Sequence, residues 1–263
     1  MYGNTALSND QLRRVAPSIF AEAARDDRSE RYTFIPTIAA VDGLRNEGWI
    51  PVQARQSRSR IEGNREFAKH MLRFRRHDAT PVVGDVFPEL VLTNSHDGAS
   101  AYNLMAGMFR LACSNGMTVA SGQFDKLTVR HSGNAIDNVI EGSYRVVEHL
   151  PRMASEVEKM RAIQLDSREQ LALATSALAL RYEPESAPIQ AEQLLRARRY
   201  ADQGHDLWTV FNRLQENITK GGVRGTSATG RRMSTRAINS VGEDIRTNRA
   251  LWMLAESMAA LKS

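Results

Sequence analysis

Cysteine is nearly absent from this chain: among 263 residues there is one, Cys113. No internal disulfide framework can form, and such usage suits a reducing compartment, so a cytoplasmic protein is expected. Long apolar runs are missing as well. Nothing approaches the roughly 18 uninterrupted apolar residues of a membrane span. The opening MYGNTALSNDQLRR has no apolar stretch after a basic start, so no secretory leader is expected. The familiar catalytic signatures are also lacking. There is no Ser/His/Asp arrangement, no HExxH and no paired cysteines. The reading is therefore of a protein that is not an enzyme and that needs no cofactor and no metal.

What the chain does contain is an uneven distribution of charge. The formal net charge is +5. Between Val52 and Arg76 lie eight bases (Arg55, Arg58, Arg60, Arg65, Lys69, Arg73, Arg75, Arg76), opposed only by Glu62 and Glu66. Between Lys220 and Arg236 lie five more (Lys220, Arg224, Arg231, Arg232, Arg236) with no acid among them. These two segments exceed the whole net charge, so the remainder is acidic on balance. Such asymmetry is the footprint of a polyanion-binding face.

Apolar residues make up 42% of the chain, enough for a globular core. Residues 1–31 read as a peripheral arm. Thr37 is placed to cap a short helix running to Asn46, with Ile38, Val41 and Leu44 on one face. Trp49 to Arg60 reads as a strand, and Phe67 to His77 as its antiparallel partner across a Gly63-Asn64 turn. In that partner Leu72 and Phe74 alternate with Arg73 and Arg75. The alternation predicts an apolar face for the core and an arginine face, with Lys69, turned to solvent or ligand. Phe87 to Thr93 reads as a third strand. The Asn94–Gly98 turn then opens an expected long buried helix over about Ala99–Cys113. Met117–Val119 and Lys126–His131 read as short closing strands.

From Val139 onward the periodicity is helical. The expected helices cover Glu141–Gln164, Ser167 to before Pro184, Gln190–Tyr200, the stretch capped by Asp206, and Thr235–Leu261. The expectation is an α+β protein: a small antiparallel sheet over residues 32–138 with a long buried helix across it, then a helical region over 139–263. Residues 220–236 form a basic, Gly-rich loop within that region. In the last helix Ile238, Val241, Ile245, Asn248, Trp252 and Ala255 make a seam suited to self-association.

His96 and Asp97 lie together in the Asn94–Gly98 turn. As chemistry they would suggest an acid/base pair. As structure they read as a hydrogen-bonded turn. Cys113 reads as core rather than nucleophile. Gly225-Thr-Ser-Ala-Thr-Gly230-Arg-Arg superficially resembles a phosphate-binding loop, but no Lys follows the second glycine and no strand is expected before it, so a nucleotide site is rejected. Trp49 and Tyr32 lie close to the first basic segment in sequence, as stacking or core residues.

Two stretches carry a resemblance. FPELVLTNSHDGASAYNLMAGMFRLACSNGM, and FNRLQENITKGG with the RRMSTRAINSVGEDIRTNRALWMLAE that follows it, are similar to a family of uncharacterised phage- and plasmid-borne proteins, over about residues 32–256. More distantly, the order of helix, Gly-Trp-led strand, hairpin, third strand and long helix resembles the core of single-strand annealing proteins of the Red-beta type. That resemblance implies rings or filaments holding DNA in a positive groove. The function expected is single-stranded DNA binding and annealing in recombination, by a homo-oligomer of a mobile element. The expected backbone contacts are Arg55, Arg58, Arg60, Lys69, Arg73, Arg75 and Arg76, with Lys220, Arg224, Arg231, Arg232 and Arg236 as a second set. The alternative is a protein-interaction module or host-defence antagonist whose basic face meets an acidic partner.

Overall fold

A computed structural model describes residues 5–24, 33–57, 64–81, 86–97, 100–110, 117–118, 127–130, 134–227 and 229–262. It divides into two compact units. One comprises Met1–Pro151 with Asn239–Val241, and the other Arg152–Ile238 with Gly242–Ser263. The α+β class is as the sequence implies: an antiparallel sheet with helices, and a helical C-terminal part.

The first unit opens with α1 (Asn9–Val15), capped by a reciprocal pair between Ser8 and Gln11. Leu12, Ala16 and Ile19 are fully buried, and Leu7 N–H donates to the Pro51 carbonyl (2.7 Å), so this segment is packed against the sheet's first strand rather than free as an arm. Helix α2 (Thr37–Asn46) follows. Its cap position is Pro36, and the Thr37 hydroxyl is used elsewhere. Then come β1 (Trp49–Gln56), β2 (His70–Arg76), β3 (Val86–Asn94), β4 (Tyr102–Arg110), β5 (Met117–Thr118), β6 (Leu127–Val129) and α3 (Ala135–Val147). The strands run in the order β1-β2-β3-β4-β5, with β6 also on β4, and every pairing is antiparallel.

The expected helix over Ala99–Cys113 is not there. Residues Tyr102–Arg110 form the strand β4, paired to β3 from Val86↔Arg110 to Thr93↔Asn103. Cys113 lies outside the described residues, as do Tyr32, Arg58 and Arg60. The physical reason for the difference is burial on both faces. A strand covered on two sides is apolar at every position, and the pleat leaves no alternation to read. The helices laid against the sheet are α2 and α3 instead. Where α3 meets the sheet, a methyl group on Gly142 would lie 2.1 Å from Leu127 and 3.0 Å from Leu104, so this approach depends on a bare backbone.

The second unit is helical: α4 (Leu150–Ala162, whose first two residues belong to the other unit), α5 (Ser167–Ala179), α6 (Leu207–Lys220) and α7 (Val241–Lys262). Two short helices replace the single one expected over Glu141–Gln164, and the Gln190–Tyr200 region holds 3₁₀ turns at Ala191–Leu195 and Tyr200–Asp202. The capping box of α5 pairs Asp166 with Glu169. Asp206 caps α6 through Thr209 N–H (2.9 Å).

Helix α6 is the axis of this unit, and nearly every residue of it is buried. Trp252 of α7 packs edge-on against Trp208 and Phe211 of α6, with centroids 6.5 and 6.1 Å away. Asn248 accepts a hydrogen bond from Gln215 (2.8 Å). The α7 stripe read as a self-association seam is therefore occupied within the chain. Residues 235–240 precede α7 and are not helical.

Between α6 and α7 the basic loop folds into a two-stranded ribbon, β7 (Arg224–Thr226) and β8 (Arg232–Ser234).

Candidate nucleic-acid interface

The first basic segment divides as its parity predicts, with Arg73 and Arg75 opposite Leu72 and Phe74. Its arginine face, however, is not exposed. Arg73 and Arg75 retain 6% and 4% of their surface, because Phe87, Val91, Met105 and Phe109 occupy the same side of the sheet and are buried too. Both guanidiniums converge on Glu89, which has no exposed surface. Arg73 Nε donates to Glu89 Oε2 (2.6 Å), and Arg75 donates to Oε1 through Nε (3.0 Å) and Nη2. Arg73 also donates to Gln53 and lies 3.5 Å from the centre of the Phe109 ring, while Arg75 lies 4.2 Å from that of Phe87. Stacking spreads the cation over an aromatic face, and the shared carboxylate neutralises one of the two charges. These residues form a buried ion cluster, which corrects their assignment to an open DNA-binding surface.

Of the remaining bases described, Arg65 is exposed. Arg76 donates to the Glu47 carbonyl (2.8 Å) and sits beside Asp78 and the ring of Trp49, itself buried in the core. Arg55 and Lys69 are half-buried.

His96, singled out with Asp97, is buried in a polar cluster at the end of the sheet. Ser95 Oγ donates to Asp97 Oδ1 (2.6 Å), and His96 N–H donates to the Phe67 carbonyl, as a hydrogen-bonded turn would. Sequence reasoning missed the partners, Ser18, Thr37 and His70. Their proton order follows from the donors. Gln56 gives its NH₂ to the Arg65 carbonyl, so its oxygen accepts from Ser18 N–H and Ser18 Oγ. With the Ser18 proton so used, His70 Nδ1 must donate to Ser18 Oγ (2.8 Å). His70 Nε2 then accepts from Thr37 Oγ1 (2.9 Å), which in turn accepts from Asn94 Nδ2 and His96 Nε2 (both 3.1 Å). The His70 ring, donating at one nitrogen and accepting at the other, is neutral in this arrangement. Burial, with the neighbouring His96, lowers the His70 pKa from 6.5 to about 3, which places it far from proton transfer near neutrality. Among the described residues no cluster of His, Cys, Asp or Glu could hold a metal ion, and no helix is long and apolar enough to cross a membrane.

The second basic segment is open. Arg224, Arg231, Arg232 and Arg236 are all exposed, and among the described residues none makes an ion pair. Lys220 differs: it is tied to Glu216 (2.6 Å) at the end of α6. The ribbon register pairs Arg224 with Ser234 and Thr226 with Arg232, so these four side chains share one face. The opposite face carries Gly225, where a methyl group would lie 2.9 Å from both Ile189 and Gln193. The ribbon thus rests on the side chains of Ile189 and Gln193 at Gly225 and turns its arginine side to solvent. Its tip closes through Ser227 N–H to the Arg231 carbonyl (2.9 Å), with Gly230 at φ 78°. Its foot is fixed by Gly222 N–H to the Thr235 carbonyl (2.8 Å) and Ile238 N–H to the Thr219 carbonyl (2.8 Å).

Comparison with known proteins adds a lineage to this geometry. Residues 26–252 match the family model described as Domain of unknown function (DUF932). The chain belongs to the DUF932 family. It is also similar to two proteins of Escherichia coli (strain K12), "UPF0380 protein YafZ" and "UPF0380 protein YfjQ". Each is 42% identical over 252 residues, covering 96% of this chain and 91% of the relative. No solved structure matches. The DUF932 match spans both the buried ion cluster and the whole of the β7–β8 ribbon.

Proposed function

We propose that this protein binds single-stranded DNA by its phosphate backbone, through the β7–β8 ribbon, and promotes annealing of complementary strands. One observation carries the reading: four exposed arginines, with no acid between Lys220 and Arg236, in and beside a ribbon that sets Gly225 against Ile189 and Gln193. Arg224 and Arg232 stand diagonally across the pair, about 7–8 Å apart. A guanidinium can give two donors to a phosphate. Contacts of this kind hold the backbone and leave base edges free to pair, which annealing requires.

The test is fluorescence anisotropy with a labelled oligonucleotide, comparing the natural chain with Arg224→Ala/Arg232→Ala. Both side chains are exposed, so circular dichroism should be unchanged while affinity falls at least tenfold. Duplex of the same sequence should compete less well than single strand, and a quenched-fluorophore assay should report faster pairing of complementary strands. Equal affinity of the natural chain and the double variant would overturn the ribbon as the binding face.

A further inference from the structure

The ribbon grips phosphate, and phosphate is common to single strands, duplexes and bare polyanions. A group that recognises an unpaired base has to come from elsewhere in the same unit. Tyr200, at the start of the 3₁₀ turn Tyr200–Asp202, is 88% exposed. Among the described residues its ring has no aromatic or cationic partner. It follows Arg196, Arg198 and Arg199 in the chain.

One of those arginines ties the turn to the ribbon. Arg198 Nε donates to Asn217 Oδ1 (2.6 Å), and its Nη2 donates to the Gly221 carbonyl. Gly221 is the ribbon's foot, where an added methyl group would lie 2.3 Å from the carbonyl carbon of Arg236. Tyr200 is two residues from Arg198, at most about 7 Å along the backbone. The ring and the exposed Arg236 are thus joined through a single arginine side chain. The acids nearby are Asp202 and Glu216, both buried and met by Arg199 and Lys220, and the exposed Glu192 of the preceding turn.

We propose that Tyr200 is a stacking platform for one unpaired nucleobase, with the neighbouring phosphates held by Arg196 and Arg236. This rests on the reading of the ribbon as a single-strand site and gives it selectivity. A base inside a duplex has both faces covered, whereas a base in a single strand can lie on an open tyrosine ring. Tyrosine supplies this contact at low conformational cost, since its ring is fixed by two torsions.

The test uses the full chain and two probes of equal length: a thymidine oligonucleotide and an abasic one with the same phosphates. Tyr200→Ala should weaken thymidine binding about tenfold and leave abasic binding unchanged, while Tyr200→Phe should match the natural chain on both. The ribbon variant Arg224→Ala/Arg232→Ala should weaken both probes. Photo-crosslinking of an oligonucleotide carrying 5-bromodeoxyuridine should map to Tyr200. Thymidine binding unchanged by Tyr200→Ala, an equal loss on the abasic probe, or crosslinks only to other residues would overturn the platform and leave the ribbon standing. No binding of either probe by the natural chain would overturn both.

Discussion

Glu89 sits with no exposed surface between two guanidiniums, so neither sign of charge there has water as an alternative partner. Removing the carboxylate leaves two buried cations, and removing one cation leaves the other with the carboxylate. Glu89→Ala should therefore lower stability by about 3–5 kcal/mol, read from urea unfolding. Arg73→Ala with Arg75→Ala should likewise shift the unfolding midpoint rather than the DNA affinity of whatever remains folded. His70 gives a second residue-scale expectation. Its folded pKa is about 3 against 6.5 when free, so its stabilising contribution is complete above pH 6.5. As pH falls from 6.5 toward 3 the unfolded chain takes up a proton that the folded chain refuses. Stability should then drop by about 1.4 kcal/mol per pH unit from this group alone. Urea midpoints at pH 7 and pH 5 should show that loss in the natural chain and a smaller one in His70→Gln. Equal losses would mean that His70 takes up its proton without unfolding.

At the scale of elements, the ribbon stands on two glycines of unequal demand. Gly221 has φ 62° and ψ −157°, a region open to glycine almost alone, and its missing side chain is where the Arg236 backbone passes. Gly222 has φ 72° but open space around it. Gly222→Ala should cost about 1–2 kcal/mol, the ordinary penalty of a left-handed residue. Gly221→Ala should cost more than that and also abolish oligonucleotide binding, because Arg236 and the strand behind it must move. Differential scanning calorimetry and anisotropy on the two variants check the pair of expectations.

The elements themselves were unevenly legible. The hairpin, the α6 cap at Asp206 and the parity of Arg73 against Leu72 follow from local rules that the fold obeys. Strand β4 does not announce itself. Tyr102–Arg110 is rich in Met, Leu and Ala, which suit helices, and only the long partnership with β3 decides otherwise. The α7 stripe is similar: its spacing says that something covers it, but that the cover is α6 is a matter of tertiary packing.

For the whole molecule, charge was legible as a sum and misleading as a map. Twelve of the thirteen bases in two segments read as backbone contacts of a polyanion face. A strand alternates its side chains whether or not the second face meets water, so parity identified the arginine side without revealing that it is buried. Glu89, at the matching position of the third strand, was the signal that could have shown it. The salt dependence of binding measures how many of the twelve act. Each phosphate neutralised on a single strand contributes about 0.7 to the slope of log affinity against log salt. Four ribbon arginines give a slope of about −3, or about −4 if Arg58 and Arg60 join them, and all twelve would give about −8. The natural chain should therefore lose about fiftyfold in affinity between roughly 50 and 200 mM salt if the ribbon alone binds. Arg224→Ala/Arg232→Ala should flatten the slope by about 1.4. Anisotropy titrations over that range decide it. A slope unmoved by the ribbon substitutions would mean that DNA is held by other residues, and would overturn the ribbon as the binding face.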